Sequence, residues 1–228
     1  IHQFDENAFA GLHKLRLLDL SSNEITQLIP KLFKDSINLV ILYLYINKLN
    51  SLDSMWFYGL RKLRILDIHT NEINGIESNT FEHLPCLLEL HLRLNQIEII
   101  EPRAFLGLFK LAELKLNSNK IRLLDDAFVD LNNLVELDLE HNIIESITES
   151  LFHDTINLKE LDVSQNEIVE IHEKAFDRLI NLNNLRLNNI KMAKLNCTMF
   201  KNLSQLKVFS VNRELKSKEV KCDTLESL

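Results

Sequence analysis

The sequence contains few of the residues on which disulfide-rich and phosphate-binding domains depend. With 3 cysteines in 228 residues, the chain is not a disulfide-dense scaffold. The 4 glycines, Gly11, Gly59, Gly75 and Gly107, are isolated, so no glycine-rich phosphate loop is present. No apolar run approaches the roughly 18 residues of a membrane span. We therefore expect no direct membrane insertion within this chain.

Basic runs and catalytic motifs are also missing. The net charge is −7 and no long run of Lys and Arg occurs, whereas a nucleic-acid groove normally needs a basic stripe. The motifs G-x-S-x-G, H-E-x-x-H and C-x-x-C are absent. Asp125-Asp126 is more simply interpreted as a polar loop than as an acid–base pair. We expect no nucleic-acid partner, no enzymatic activity and no cofactor.

The sequence does contain a segment that recurs every 24 residues. Leu15 to Ile25 shows its pattern, L-x-x-L-x-L-x-x-N-x-L. A fixed period of this length indicates a solenoid, in which each coil shares its core with its neighbours. The eight copies, with one step of 23, begin at Leu15, Leu39, Leu63, Leu87, Leu111, Leu134, Leu158 and Leu182.

Each copy predicts one short strand that pairs in parallel with the next. Alternation along a strand sends Leu66 inward and Asp67 outward. Nine strands are predicted, the last at about Leu206 to Val211. We expect the repeat array to occupy residues 1-211 and an end coil or partial cap to occupy 212-228. Because Ile1 already falls in the middle of a coil, we expect a truncated first coil and a longer parent protein.

An asparagine ladder supports the solenoid. An amide side chain can satisfy the backbone groups that a tight turn leaves unpaired where the chain enters the core. Ile190 takes this position in the eighth repeat, which predicts local irregularity there. The ladder consists of Asn23, Asn47, Asn71, Asn95, Asn119, Asn142 and Asn166.

A phenylalanine ladder lies late in each coil. It accounts for nine of the 12 Phe, and stacked rings there would fill the convex side of the core. The aromatic content is thus mainly structural. The ladder consists of Phe9, Phe33, Phe57, Phe81, Phe105, Phe128, Phe152, Phe176 and Phe200.

The repeat, with Phe followed three residues later by Leu, as in Phe57-Tyr58-Gly59-Leu60 and Phe105-Leu106-Gly107-Leu108, resembles the "typical" leucine-rich repeats of extracellular animal proteins. Toll-type receptor ectodomains, small proteoglycans and secreted arthropod immune proteins use this subclass. The resemblance implies an α/β fold: a leucine-rich-repeat solenoid with a curved parallel β-sheet on its concave face and an irregular or short helical convex side.

The resemblance also implies a function. The expected role is an extracellular protein-recognition module, secreted or part of a membrane protein's ectodomain, that binds a protein ligand or co-receptor in innate immunity or cell-surface signalling. The alternative is a structural or adhesion module that forms a homodimer through the array. An intracellular scaffold is the third interpretation.

Cysteine and asparagine positions bear on the compartment. Cys197 and Cys222 fall at nearly the same azimuth of adjacent coils. Adjacent strands are about 4.8 Å apart and a disulfide needs Cα atoms about 4.4–6.8 Å apart, which predicts a bridge. The alternatives are two free thiols or a partner for Cys222 beyond residue 228. Cys86 is expected to be unpaired at the surface. Two glycosylation sequons begin at Asn196 and Asn202.

An apolar patch is predicted on the second coil of the concave face. Ile41, Tyr43, Tyr45 and Ile46 all point outward there, and exposed Tyr clusters are typical of binding hot spots. The alternative is that Tyr and Ile simply suit a strand.

A charged surface is predicted beside the apolar patch. Like charges in register repel, so an acidic stripe indicates a basic partner, although a solvated face with local ion pairs explains it equally well. A two-histidine metal site at His69 and His91 is conceivable, but without a matched carboxylate or cysteine we expect no bound metal. The stripe is Glu113, Glu136, Asp138, Glu140, Glu160 and Asp162, with Asp67, His69, His91, Arg93 and Lys115 next to it.

Overall fold

The computed structural model describes residues 4–212, and strands in it are short. Two single-turn 3₁₀ helices, Ser54–Phe57 and Cys197–Phe200, lie on the convex side. The strands in the described range are β1 Leu17–Asp19, β2 Ile41–Tyr43, β3 Ile65–Asp67, β4 Gly75–Ile76, β5 Glu89–His91, β6 Ile99–Ile100, β7 Glu113–Lys115, β8 Glu136–Asp138, β9 Ser146–Ile147, β10 Glu160–Asp162, β11 Glu170–Ile171, β12 Asn184–Leu187 and β13 Val208–Val211.

One strand from each coil joins a nine-stranded parallel sheet in the order β1-β2-β3-β5-β7-β8-β10-β12-β13. The register advances by one whole repeat at each step, so that Leu42 pairs with Leu66 and Leu66 with Leu90. The nine predicted strands are confirmed, and the last of them is Val208–Val211. Within the described residues, β4 pairs with β6 and β9 with β11 in two separate two-stranded parallel sheets.

The leucines and phenylalanines of the repeat form one continuous core. Leu66 and Ile68 are fully buried, while Asp67 and His69 between and after them are only partly buried. The Phe rings from Phe57 to Phe200 stack with centroids 5.8–6.4 Å apart. Because each ring packs between the rings of its neighbouring coils, the core of one coil is completed by the next.

The asparagine ladder joins consecutive coils by hydrogen bonds. Asn71 Oδ1 accepts from the backbone N–H of Leu49 at 3.0 Å in the preceding coil. Its Nδ2 donates to Leu44 O in that coil and to Ile68 O in its own, both at 3.0 Å. The ladder therefore satisfies buried backbone groups, as predicted. The same bonds recur at Asn47, Asn95, Asn119, Asn142 and Asn166.

The eighth coil retains the backbone turn despite its missing asparagine. Ile190 is buried, and Asn189 before it has a φ of 55°. The irregularity predicted for this coil is a change of hydrogen bonding. The N–H of Asn189 donates to the side-chain Oδ1 of Asn212, whereas Gln165 one coil earlier donates to the backbone carbonyl of Asn188.

Glycine is required where coils approach closely on the convex side. Gly59 has a φ of +96°, and a Cβ there would lie 2.9 Å from the carbonyl oxygen of Lys34 in the preceding coil. Gly107 repeats the arrangement two coils later, with a φ of +94° and Glu82 as its neighbour. These two glycines therefore permit the close stacking of the convex segments.

Candidate binding surface on the concave face

The concave face carries its outward side chains in straight rows across the sheet. One row passes through Tyr43, Asp67, His91, Lys115 and Asp138, and then through Asp162 and Arg186. This is the row expected from the repeat. The row beside it runs through Ile41, Ile65, Glu89, Glu113, Glu136, Glu160 and Asn184.

Three rings form an aromatic cluster at one end of this surface: Tyr43, Tyr45 and His69. The Tyr43 and Tyr45 ring centroids are 5.7 Å apart. His69 of the next coil stacks on Tyr45 at 4.7 Å with an angle of 10° between the ring planes. Ile41 is half-buried in the same strand, and Ile46 beside it is 48% exposed. The predicted apolar patch is therefore present and extends to a histidine of the following coil.

Ile46 occupies a left-handed backbone position, with a φ of 54°. The residue before the ladder position, which is an asparagine in seven coils and Ile190 in the eighth, has a φ between 54° and 58° in every coil from Ser22 to Asn189. β-branched side chains are disfavoured in this conformation. An isoleucine at this exposed position therefore adds backbone strain to the fold.

Asp67 links the two histidines of the predicted set. Its Oδ1 accepts from His69, from the backbone N–H at 3.2 Å and from Nδ1 at 2.5 Å. Its Oδ2 lies 3.4 Å from His91 Nδ1. Burial alone raises the pKa of the Asp67 carboxyl, but the hydrogen bonds from His91 and His69 together hold it below its usual value. The hydrogen bond to Asp67 is also the main reason that the pKa of His91 is raised.

Glu89 is a residue that sequence reasoning missed. It lies two positions before His91 in β5 and is in register with Glu113 of β7. Glu89, His91 and Glu113 form a histidine–carboxylate cluster, in which one nitrogen or oxygen atom of each lies within 4.8 Å of those of the other two. The sequence did contain evidence for this cluster. Glu89 and Glu113 are 24 residues apart, which places them in one row, and that row is next to the row of His91.

Lys115 interrupts the predicted acidic stripe. Its Nζ contacts Glu136 and lies 3.8 Å from Glu113 Oε1. Burial tends to lower the pKa of Lys115, but the hydrogen bond and charge of Glu136, with the charge of Glu113, raise it above its usual value. The stripe is therefore partly neutralised by an ion pair between coils.

The remaining acidic residues continue the stripe over two further coils. Glu113, Glu136 and Glu160 are in register, as are Asp138 and Asp162. Burial raises the pKa of Asp138, and the nearby charge of Asp162 adds to that rise. Arg186 Nη1 lies 3.4 Å from Asp162 Oδ2 at the end of the row.

The outermost predicted residues lie toward the turn at the strand ends. Glu140 is half-buried and accepts a hydrogen bond at 2.8 Å from Gln165 Nε2. Arg93 is exposed. The acidic end at β10 is five strands from the aromatic cluster at β2, or about 24 Å at 4.8 Å per strand. The predicted binding residues thus include an aromatic patch and an acidic patch at opposite ends, and His91 and Glu113 of the predicted set lie between these ends in the histidine–carboxylate cluster.

Aspartates in the central row also have a structural role. Asp138 Oδ1 accepts from the backbone N–H of Glu140 at 3.0 Å, and Asp162 Oδ1 does the same for Ser164 at 2.9 Å. Such local bonds stabilise a turn. The frequent occurrence of aspartate at this position is therefore explained in part by the fold, and not by a partner alone.

The predicted modification sites lie at the end of the described range. Asn196 is exposed, and Asn202 is half-buried and donates to the Asp177 carbonyl at 3.3 Å. Cys86 has a free thiol, as expected. Cys222 and the predicted cap lie outside the described residues, so the Cys197–Cys222 bridge and the cap stay predictions.

Within residues 4–212, no helix has the length and apolar character needed to cross a membrane.

A family model for leucine rich repeats matches residues 1–44, 37–97, 87–144 and 132–189. The chain belongs to the leucine-rich repeat family. Its solenoid, like others in the family, is an interaction scaffold of a kind that is typically not enzymatic. Curated protein sequences give no match to it.

A solved structure with a similar fold is a chain from the crystal structure of a TLR13–ssRNA13 complex. The leucine-rich repeat chain described here matches it with a TM-score of 0.64 and 24% identity. The match covers 92% of this chain and 38% of that chain. The similarity shows the fold alone, and the present chain spans well under half of its neighbour's length.

Proposed function

We propose that this leucine-rich repeat array binds a protein partner on its concave face, outside the cell, in innate immunity or cell-surface recognition. The observation that carries the proposal is the aromatic cluster, in which Tyr45 stacks on His69, Tyr43 packs against Tyr45 at a tilt, and all three rings are partly exposed. Ordered aromatic side chains give large contact area at little loss of conformational freedom, and interface hot spots are rich in them.

The proposed mechanism is rigid binding by a preorganised surface. The strands are fixed to one another in register, so little ordering is needed when a partner binds. The aromatic cluster anchors the partner, and the acidic residues around Glu136 and Glu160 attract basic side chains on it. Charges at such a distance from the anchor mainly increase the association rate and the selectivity.

The test uses a panel of purified extracellular domains, single-stranded RNA and a second sample of the chain itself as binding partners. The variant Tyr43→Ala with Tyr45→Ala is compared with Tyr58→Ala, an exposed tyrosine on the convex side. We expect a protein partner whose affinity falls at least about tenfold in the double variant, a truncation effect typical of hot spots, and is retained by Tyr58→Ala.

Three results would contradict the proposal. Equal affinity of the double variant and Tyr58→Ala for the partner would exclude the aromatic cluster as the anchor. Saturable binding of RNA alone would assign the concave face to nucleic acid. A stable dimer in sedimentation that dissociates in the double variant would instead support the structural or adhesion role.

The extracellular location is tested by the intact mass of the protein secreted from animal cells, before and after reduction and deglycosylation. We expect a glycan on Asn196 or Asn202 and a mass increase of two hydrogens when a Cys197–Cys222 bridge is reduced. Three free thiols and no glycan would instead favour an intracellular scaffold.

A further inference from the structure

The histidine–carboxylate cluster brings three ligand-type side chains together at the middle of the concave face. Glu89 and His91 lie on β5, and Glu113 lies on the adjacent β7. His91 Nε2 is 3.3 Å from Glu113 Oε1. The three side chains are partly buried, and one donor atom of each lies within 4.8 Å of the other two. Small side-chain rotations would bring all three donor atoms within the bonding distance of about 2.0–2.2 Å from one zinc-sized cation.

The Asp67 carboxylate orients the imidazole ring of His91. Its Nδ1 faces Asp67 Oδ2 at 3.4 Å, and Asp67 is itself held by His69 Nδ1 at 2.5 Å. Because a carboxylate can only accept, Nδ1 of His91 carries a proton. Histidines that bind metals almost always donate their second ring N–H to a carboxylate or carbonyl in this way. The arrangement leaves Nε2 as the metal-binding nitrogen.

Nε2 of His91 is buried, and its 3.3 Å approach to Glu113 Oε1 lacks hydrogen-bond geometry, so among residues 4–212 the atom has an ion-pair contact but no hydrogen bond. It faces the carboxylates of Glu89 and Glu113, whose charges repel one another and any lone pair on the ring nitrogen. A cation at this point removes the repulsion. That cation is either a second proton on His91 or a metal ion, and two carboxylates with one imidazole are suitable ligands for zinc and similar divalent ions.

Lys115 is the nearest competing cation. It is directed toward Glu136 and stands 3.8 Å from Glu113 Oε1, so it borders the cluster without filling it. A metal ion bound to Glu89, His91 and Glu113 would keep an open coordination position.

We propose that Glu89, His91 and Glu113 bind a divalent transition-metal ion such as Zn²⁺, with Asp67 as the positioning residue for His91. The site is independent of the proposed partner-binding function, and it would exist in the isolated chain.

The experiment titrates Zn²⁺ into chelator-treated, tag-free protein in the presence of a chromogenic competitor. We expect one ion per chain. His91→Ala and Glu113→Gln each weaken the affinity at least about tenfold, and Asp67→Asn weakens it by about 10–100-fold as the loss of a supporting contact does elsewhere. His141→Ala and Glu160→Gln, which change exposed side chains outside the cluster, leave the affinity unchanged. Lys115→Gln tightens binding.

Two further measurements use the wild-type protein, so their results do not depend on whether a variant folds. In the wild-type protein, Co²⁺ should give visible d–d absorption that Zn²⁺ abolishes, and Zn²⁺ should shift the His91 imidazole resonances. Absence of saturable Zn²⁺ binding, binding that His91→Ala and Glu113→Gln leave intact, or a His91 ring that stays an imidazolium in excess Zn²⁺ would each overturn the proposal in favour of an ion-paired histidine.

Discussion

At the scale of single residues, each ladder asparagine from Asn47 to Asn166 forms hydrogen bonds with two coils at once. In Asn71, for example, Oδ1 accepts a hydrogen bond from the preceding coil. Nδ2 donates one hydrogen bond to that coil and one to its own. No other side chain of similar size offers one acceptor and two donors in this geometry. The residue is therefore specified by hydrogen bonding, and its loss affects a neighbour as well as its own coil.

Substitution of a central ladder residue should be strongly destabilising. We expect Asn95→Ala to lower the free energy of unfolding by about 3 kcal/mol. It leaves the buried Ile73 N–H unpaired, at a cost of about 1–3 kcal/mol, and it removes one of the two asparagine hydrogen bonds to each of the Ile68 and Leu92 carbonyls, at about 0.5–1.5 kcal/mol each. Asn50→Ala, at an exposed position, should change it by less than about 0.5 kcal/mol. Chemical denaturation measures both. Equal effects would show that the ladder bonds contribute little.

Substitution of Ile46, which occupies a left-handed backbone position, should instead stabilise the protein. Ile46→Asn should raise the free energy of unfolding by about 1 kcal/mol, because Asn tolerates this backbone region and a β-branched residue does not. The matched control is Leu94→Asn, with a φ of 55° and 49% exposure, where the gain should be smaller. Thermal melting of the two variants beside wild type provides the comparison. A loss of stability on Ile46→Asn would mean that the isoleucine packs favourably.

At the scale of elements, the convex segments stack through groups that one coil offers to the next. The backbone N–H of Gly11 donates to Asp35 Oδ2 at 2.9 Å, and that of Asp130 donates to Asp154 Oδ2 at 3.0 Å. These aspartates follow their donors by one repeat. The convex side therefore has its own bonds between coils, although it contains little regular secondary structure.

Gly59 should be the least replaceable glycine of the convex side. Gly59→Ala is expected to lower the free energy of unfolding by at least about 2 kcal/mol, since it combines a disfavoured φ with a Cβ forced against the Lys34 backbone. Gly11→Ala has a positive φ but nothing within 4 Å of the added atom, so it should cost only about 1 kcal/mol. Calorimetry on both variants separates the close approach from the backbone strain. Equal losses would argue against the contact.

Asp154 should make the convex stacking sensitive to acid. The N–H of Asp130, and then His153, hold the pKa of the Asp154 carboxyl below its ordinary value. A depressed pKa stabilises the fold above the unfolded value of about 3.9, and this contribution disappears as the pH falls through the lower folded value. The melting-point difference between wild type and Asp154→Asn should therefore shrink below about pH 4. A difference that is constant from pH 7 to pH 3 would contradict this account.

At the scale of the whole molecule, the period predicted the architecture but only part of the surface. Strand positions, the Asn and Phe ladders and the rows of outward residues follow from repetition, because each coil meets the next in the same register. Side-chain direction does not follow from it. Lys115 lies in a row with Asp138 but bonds to Glu136 in the adjoining row, which divides a stripe that looks continuous in the sequence.

The histidine–carboxylate cluster was missed for the same physical reason. A search along one row, in steps of a repeat, pairs His91 with Asp67 and Lys115 but not with Glu89 and Glu113. Glu89 and His91 are two residues apart on one strand. Whether they meet Glu113 depends on the directions that their side chains take toward the neighbouring strand. Repetition determines where the Cα atoms lie, and the site is made by atoms several bonds farther out.

The asparagine ladder has a mechanical consequence. Each ladder residue from Asn47 to Asn166 anchors its coil to the preceding one, so an internal coil is held by its own asparagine and by that of the coil after it. The outermost coil of any such array has a neighbour on one side only. A chain pulled by its ends should therefore peel from a terminus, one coil at a time, and each rupture should release about 8 nm of contour length for 24 residues. Asn95→Ala should lower the force of one internal event without changing its length, which single-molecule force spectroscopy can measure. A single all-or-none rupture would show that the coils bear load as one body.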